Sequence, residues 1–322
     1  MLYVQRIQNF GPKFKLTEML NRLSIKAFSP YGVAQQRQLY ELHTNYLFLF
    51  GLLVRIYLLI FTVPQIHLDW FLPFLENSIT NLSIDPWTSF LNNNGTETAF
   101  PYGISMIGAY FPLTSLGHFI GKISSNNNFL GIGFRLTSLL FDYITFICLS
   151  ILTKHKSKKI LLFSYWCSPL IIYITYWHGQ LDVVPIMLLI TSLCMVSWQR
   201  YKTAGILISF AVSSKFSMII AIPLILIYIN HRKGFSREIF NFCLFTLIGL
   251  ILLIVPYIYS YGFQAMVIST PEIQRLYSVY IPFGITLKVY VVPIIYLLTL
   301  YLIWRLQRIT QDLFLIATGL GF

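Results

Sequence analysis

Long apolar runs, each closed by a short polar or basic cluster, alternate along this chain. The first covers residues 46–63, is broken only by Arg55, and stops at Pro64. Further runs cover residues 134–152, 160–175, 183–198, 204–229, 240–259 and 289–304. A helix needs about 17–25 apolar residues to cross a bilayer, so the run at 160–175 is on the short side. A transmembrane barrel would show alternating segments of about 10 residues instead. The pattern therefore predicts an all-α, polytopic transmembrane bundle over residues 46–322, preceded by a mixed polar segment over residues 1–45. That segment carries no signal-peptide pattern. The sequence closes inside another apolar stretch, residues 313–322, which reads as a last span only partly present or as a truncated product.

Composition agrees with the pattern. Hydrophobic residues make up 56% of the 322 positions and charged ones only 11%. Soluble domains carry about 25% charged residues, which excludes an ordinary soluble globule. The 27 Phe, 21 Tyr and 6 Trp suit rings placed at membrane interfaces. Net charge is +12, yet the basic residues sit in clusters between apolar runs, a topology signal and not a nucleic-acid stripe. Cys148, Cys167, Cys194 and Cys243 each fall inside an apolar run and read as small buried hydrophobes.

Positive charge orients the spans. Residues 1–45 hold Arg6, Lys13, Lys15, Arg22, Lys26 and Arg37, which puts the N-terminus in the cytoplasm. The basic clusters at 154–159, 200–202, 231–237 and 305–308 belong on the same side. Residues 64–99 contain Asp69, Glu76, Asp85 and Glu97 without any Lys or Arg, and belong outside. This orientation constrains two segments. Residues 100–119, with Pro101, Pro112 and His118, are expected as a helix on the outer interface. Residues 204–229 are expected as a hairpin of two short helices meeting near Lys215.

In this topology a set of polar residues shares the outer end. Asp69 is either a solvated loop acid or a general base whose pKa burial would raise. His67, two residues before it, is a hydrogen-bond partner or a metal ligand, though His-x-Asp is a weak metal motif. His178, Gln180 and Asp182 form a turn between two spans, either a capping turn or a head-group recognition site. Lys215 either snorkels to the interface or holds an anion, phosphate being the natural one at a membrane. Tyr102 lies in Phe100-Pro101-Tyr102-Gly103, and Arg135 begins a span. Asp142, mid-span, is expected to pair with Arg135 as a structural contact. Asn81-Leu82-Ser83 and Asn94-Gly95-Thr96 are sequons in the outer loop.

The run Trp177-His178-Gly179-Gln180-Leu181-Asp182, followed by Ala204-Gly205-Ile206-Leu207 and by Ser214-Lys215-Phe216 up to Pro223, is similar to a HGQxD, AG-L, K…P pattern. Together with the early Asp69 and the Phe100-Pro101-Tyr102-Gly103 stretch, it resembles the mannosyltransferase-like members of the GT-C superfamily of polytopic glycosyltransferases. The resemblance covers about residues 46–230; the part beyond Lys288 is shorter than in many members. It implies a membrane enzyme that takes a hexose, mannose-like, from a polyprenyl- or dolichyl-phosphate donor. The acceptor would be a glycan, lipid or protein on the periplasmic, extracellular or ER-lumenal face. The displacement would invert the anomeric centre, with Asp69 as catalytic base. Lys215 would neutralise the lipid phosphate, helped by Arg135 or Arg275. His67, Tyr102, His178, Gln180 and Asp182 would contact substrate. The resemblance fixes no cofactor, and a divalent metal stays open, because the first-loop acid is a lone Asp beside His67 and not a paired-acid motif. Two other readings compete: a lipid-linked sugar transporter or flippase, and an inactive GT-C-like partner subunit.

Overall fold

The computed structural model describes residues 39–126, 128–153, 158–233, 237–270, 278–283 and 287–306. The chain divides after Asn45, and the unit Tyr46–Phe322 holds the helical bundle. About 81% of the structure is helix, so the all-α expectation holds. Among the described residues, three helices are long and apolar enough to cross a membrane: Asn128–Leu152, Lys159–His178 and Arg237–Tyr257.

Helix α1 spans Tyr46–Phe61. A π-helical turn, His67–Phe71, leads into α2, Leu72–Thr80, and α3 follows at Pro86–Asn92. Asp85 starts α3 as its N-cap, its carboxylate accepting from Thr88 N at 3.1 Å, which satisfies one of the unpaired donors of the first turn. Helix α4 is Ile104–Ser124 and α5 is Asn128–Leu152. The segment α6, Lys159–His178, is broken by π-helical turns at Leu162–Trp166 and Tyr173–His178. Then come α7, Val183–Ser197, and α8, Tyr201–Ser214. A 3-10 turn, Phe216–Ile220, precedes α9, Ala221–Lys233. Helix α10 is Arg237–Ile254. A two-stranded antiparallel ladder pairs β1, Tyr280–Phe283, with β2, Leu287–Tyr290, before α11, Val291–Leu306. The apolar run at 289–304 thus begins as strand, where aromatic and β-branched residues pair across the ladder, Tyr280 opposite Tyr290.

Contacts fix the directions. Arg55 meets Asp142 and Arg135 meets Thr62, so α1 and α5 run antiparallel. Trp166 Nε1 donates to Phe48 O at 2.9 Å near the start of α1, and His67 meets Gly179 beyond its end, so α6 runs parallel to α1. Glycines let the helices close. A Cβ on Gly117 or Gly133 would strike the backbone carbonyl of Phe129 or Leu113 on the facing helix. The segment expected as a helix on the outer interface is helical from Ile104 to Ser124 and packs along the first half of α5. Gly205 and Gly249 serve the contact of α8 with α10, Gly205 facing Phe242 and Thr246, Gly249 facing Ser209. That register makes α8 and α10 parallel, so α9 runs back between them. The break expected near Lys215 is present, with Lys215 extended at φ −147° and ψ 117°.

The acidic segment after α1 is a folded cap. Phe71, Phe74, Trp87, Phe100, Tyr110 and Phe134 form an aromatic core with Leu181 and Val184. Phe74 stacks on Phe100 with centroids 4.4 Å apart, and Tyr110 on Phe134 at 4.5 Å, geometries favoured by ring quadrupoles. Trp87 Nε1 donates to Tyr102 O at 3.2 Å, and Gly262 N donates to Thr88 Oγ1 at 2.9 Å. The latter ties α3 to the chain after α10.

Candidate functional site

Three junctions gather the motif residues at one end of the bundle. At the first, α6 ends in a tight turn. The N–H groups of Gly179 and Gln180 both donate to Ile174 O, at 3.0 and 2.9 Å. Gly179 takes φ +84°, a left-handed conformation that glycine adopts without a Cβ penalty. A Cβ there would lie 2.5 Å from His67 Nε2 and 2.6 Å from Pro64 Cβ. The close approach exists because His67 Nε2 bonds the Gly179 carbonyl at 2.8 Å.

At the second junction, Gly103 N donates to Ser214 O at 3.2 Å. A Cβ on Gly103 would collide with the Ser213 carbonyl. The glycine of Phe100-Pro101-Tyr102-Gly103 therefore seats the start of α4 on the residues just before Lys215. At the third, Lys215 Nζ donates to Asp182 Oδ1 at 2.8 Å. Asp182 stands at the N-cap position of α7 but makes no side-chain cap bond, because its carboxylate turns to the lysine. Its charge also reaches the Tyr110 hydroxyl. Both members keep partial solvent access, with 19% of the Lys215 side chain and 31% of the Asp182 side chain exposed.

The structure divides the expected set. Lys215 and Asp182 come together. His178 and Gln180 come together, with Gln180 Nε2 3.3 Å from His178 Nε2. Asp69 is exposed on the π-helical turn, and Gln65 Nε2 donates to its Oδ1 at 2.8 Å. The burial expected around its carboxylate is not there. Arg275 lies outside the described residues.

Three residues expected to contact substrate serve the scaffold instead. His67 is 2% exposed and spends Nε2 on Gly179, while Nδ1 is buried without a partner among the described residues. Burial, with the Arg135 charge as a lesser contribution, lowers its pKa to about 4, so the ring is neutral at physiological pH. With one nitrogen bonded to a carbonyl and the other enclosed, neither is offered to a metal. Arg135 is buried and donates to Gly131 O at 3.0 Å and to Thr62 O. Tyr102 is 4% exposed, its ring edge-on to Phe71 and Phe100.

Asp142 does not pair with Arg135. Seven residues along one helix is a rise of about 10.5 Å, and Arg135 instead reaches the end of α1. Asp142 takes Arg55 Nε at 2.7 Å, Tyr165 Oη at 2.8 Å and Tyr176 Oη at 2.7 Å. Arg55 also donates to Gly51 O at 3.2 Å and to Trp166 O, and lies 4.0 Å from the Trp166 ring centroid. The cluster ties α1, α5 and α6 together. The sequence signal was two charges of opposite sign, each inside a different apolar run, which must find each other.

Sequence reasoning also missed a cleft of about 450 Å³ lined by Thr62, Val63, Pro64, Gln65, Ile66, Tyr173, Trp177 and His178. Of the expected residues only His178 lines it. Among the described residues no group of three His, Cys, Asp or Glu side chains converges. No family model matches the chain, and no curated protein or solved structure does so either.

Proposed function

We propose that this chain is a membrane glycosyltransferase that moves a hexose from a polyprenyl- or dolichyl-phosphate donor to an acceptor hydroxyl. One observation carries the reading: Lys215, set on an extended break between two helices, is held at 2.8 Å by Asp182 at the start of α7. A partly exposed ammonium beside the N-terminus of a helix suits a phosphate, since the helix N–H groups and the cation both favour negative charge there. Asp182 orients the ammonium and shares it with the arriving phosphate.

The chemistry then needs a base and a stabilised leaving group. Asp69 takes the proton of the acceptor hydroxyl as its oxygen attacks the anomeric carbon. The bond from that carbon to the phosphate oxygen breaks, and the negative charge left on the lipid phosphate is met by Lys215. Attack from the face opposite the phosphate inverts the anomeric centre. Asp69 is exposed and, among the described residues, accepts from Gln65 at Oδ1, which leaves Oδ2 for the proton.

The test is a mass-spectrometric screen of the purified full chain with several polyprenyl-phosphate hexoses and a panel of hydroxyl acceptors. Release of free polyprenyl phosphate together with a product one hexose heavier is expected, and both should fall in Lys215→Ala. Donors that stay intact with every acceptor, or turnover indifferent to Lys215→Ala, would sink the reading.

A further inference from the structure

The cleft beside the His178 turn differs in chemistry from the Lys215–Asp182 junction. None of its eight lining residues is Lys, Arg, Asp or Glu. Its polar side chains are Thr62, Gln65 and His178. A phosphate finds no fixed positive charge to pair with there. Its aromatic groups are Tyr173 and Trp177, 53% and 58% exposed, so broad ring faces stand open along one wall. Tyr173 lies parallel to the His178 imidazole, centroids 6.3 Å apart and planes 6° apart. That stack and the neighbouring Gln180 amide set the imidazole before a ligand arrives.

Open aromatic faces beside hydroxyl, amide and imidazole groups match one ligand class closely. A pyranose ring presents a C–H face that packs on an aromatic ring and a rim of uncharged hydroxyls that trade hydrogen bonds with amides and imidazoles. The volume falls in the range of about 300–1,000 Å³ usual for small-molecule sites. Both walls are braced. Arg135 holds the Thr62 carbonyl on one side, and His67 holds the Gly179 carbonyl on the other. Gln65 lines the cleft, and its amide donates to Asp69, which puts the carboxylate one hydrogen bond from the lining.

We propose that this cleft binds the acceptor as a neutral saccharide, stacked on Trp177 and Tyr173 and hydrogen-bonded by Gln65 and His178. This rests on the transferase reading and deepens it. The phosphate end of the donor belongs to Lys215, and the accepting sugar belongs to the cleft, with Asp69 one hydrogen bond from its lining. Free glycans, glycolipids and glycoproteins share this neutral terminal ring.

The experiment uses the full chain in phosphatidylcholine nanodiscs, with no lipid-phosphate donor present, so that its outcome is separate from that of the transfer assay. Saturation-transfer NMR is recorded with the methyl glycosides of mannose, glucose, galactose and N-acetylglucosamine. At least one glycoside should receive saturation at its ring C–H protons. Trp177→Ala should lower that signal at least fivefold, and Trp177→Phe should keep most of it. Detergent-free size exclusion confirms that each variant is folded. Transfer to none of the glycosides, or equal transfer to wild type and Trp177→Ala, would overturn the proposal. So would Trp177 fluorescence that brominated acyl chains quench and no glycoside alters, since lipid would then fill the cleft. A glycoside that binds in a protein inactive with every donor would leave the cleft assignment standing and remove the transferase.

Discussion

Arg55 on α1 and Asp142 on α5 form an ion pair at 2.7 Å in which neither side chain reaches solvent. Two tyrosine hydroxyls from α6 complete the carboxylate, so three helices share one charge pair. Removing one member leaves the other charge buried and unpaired, at a cost of about 3–5 kcal/mol. Arg55→Leu and Asp142→Leu should each lower thermal stability sharply in purified protein. The double variant should recover much of the loss, because it leaves no orphan charge. A double variant as unstable as the sum of the singles would mean that the pair does not act as a unit.

Gly179→Ala should damage the His178 turn. The residue needs φ +84°, and the added methyl would press on His67 and Pro64. Left-handed strain in a non-glycine residue costs about 1–2 kcal/mol before any clash. Lower melting temperature with a broadened Trp177 environment, read by fluorescence, is the expected result. Asp182→Ala, which removes no backbone constraint, should leave that turn intact.

His67 gives the fold a defined pH response. Its pKa falls from 6.5 to about 4 on folding. Between those values the unfolded chain binds a proton that the folded chain refuses, so this residue's contribution to stability rises with pH over about 4–6.5 and is flat above. Unfolding measured across that window should show a steeper pH dependence in wild type than in His67→Gln. Parallel curves would remove His67 as the source.

Lys215→Ala should weaken donor use by raising the donor KM more than it lowers kcat, and Lys215→Arg should restore part of it. Asp182→Asn keeps the size and a hydrogen-bond acceptor but releases the ammonium from its ion pair. It should also impair donor use, by a smaller factor. Steady-state kinetics with a confirmed donor decide this, and unchanged KM in Lys215→Ala removes the lysine from the phosphate.

Asp69→Asn should lower kcat by about 10²–10⁴, the usual contribution of a general base, with donor binding kept. The amide variant of Asp85 should stay within a few-fold, since Asn also caps α3. Full turnover in Asp69→Asn would move the role of base to Asp182.

The all-α character was legible because apolar run length acts locally. The break near Lys215 followed from the basic clusters on either side of residues 204–229, which required that run to turn back, and the Phe100–Gly103 and His178–Asp182 stretches were both singled out. What those glycines do was not legible. Gly103 and Gly179 matter because of Ser213 and His67, which are more than 100 residues away in sequence. The mispairing of Asp142 with Arg135 has the same root: proximity along one helix stood in for a contact between two. The cleft escaped notice because its lining is a stretch of backbone after α1 and two aromatics on α6. Apart from Trp177 and His178, none of them belongs to a spaced motif, and none is Lys, Arg, Asp or Glu.

The bond from His67 to Gly179 joins positions 112 residues apart. One wall of the cleft is made early in synthesis and the other late. Until Gly179 has been made, the segment after α1 leans only on partners such as Phe100, Phe134 and Arg135, and the His67 imidazole lacks the carbonyl that it ends up bonded to. Closure of the cleft is thus an event of assembly, timed by the synthesis of α6, and a chain interrupted before that point would present Asp69 without the aromatic wall of Tyr173 and Trp177.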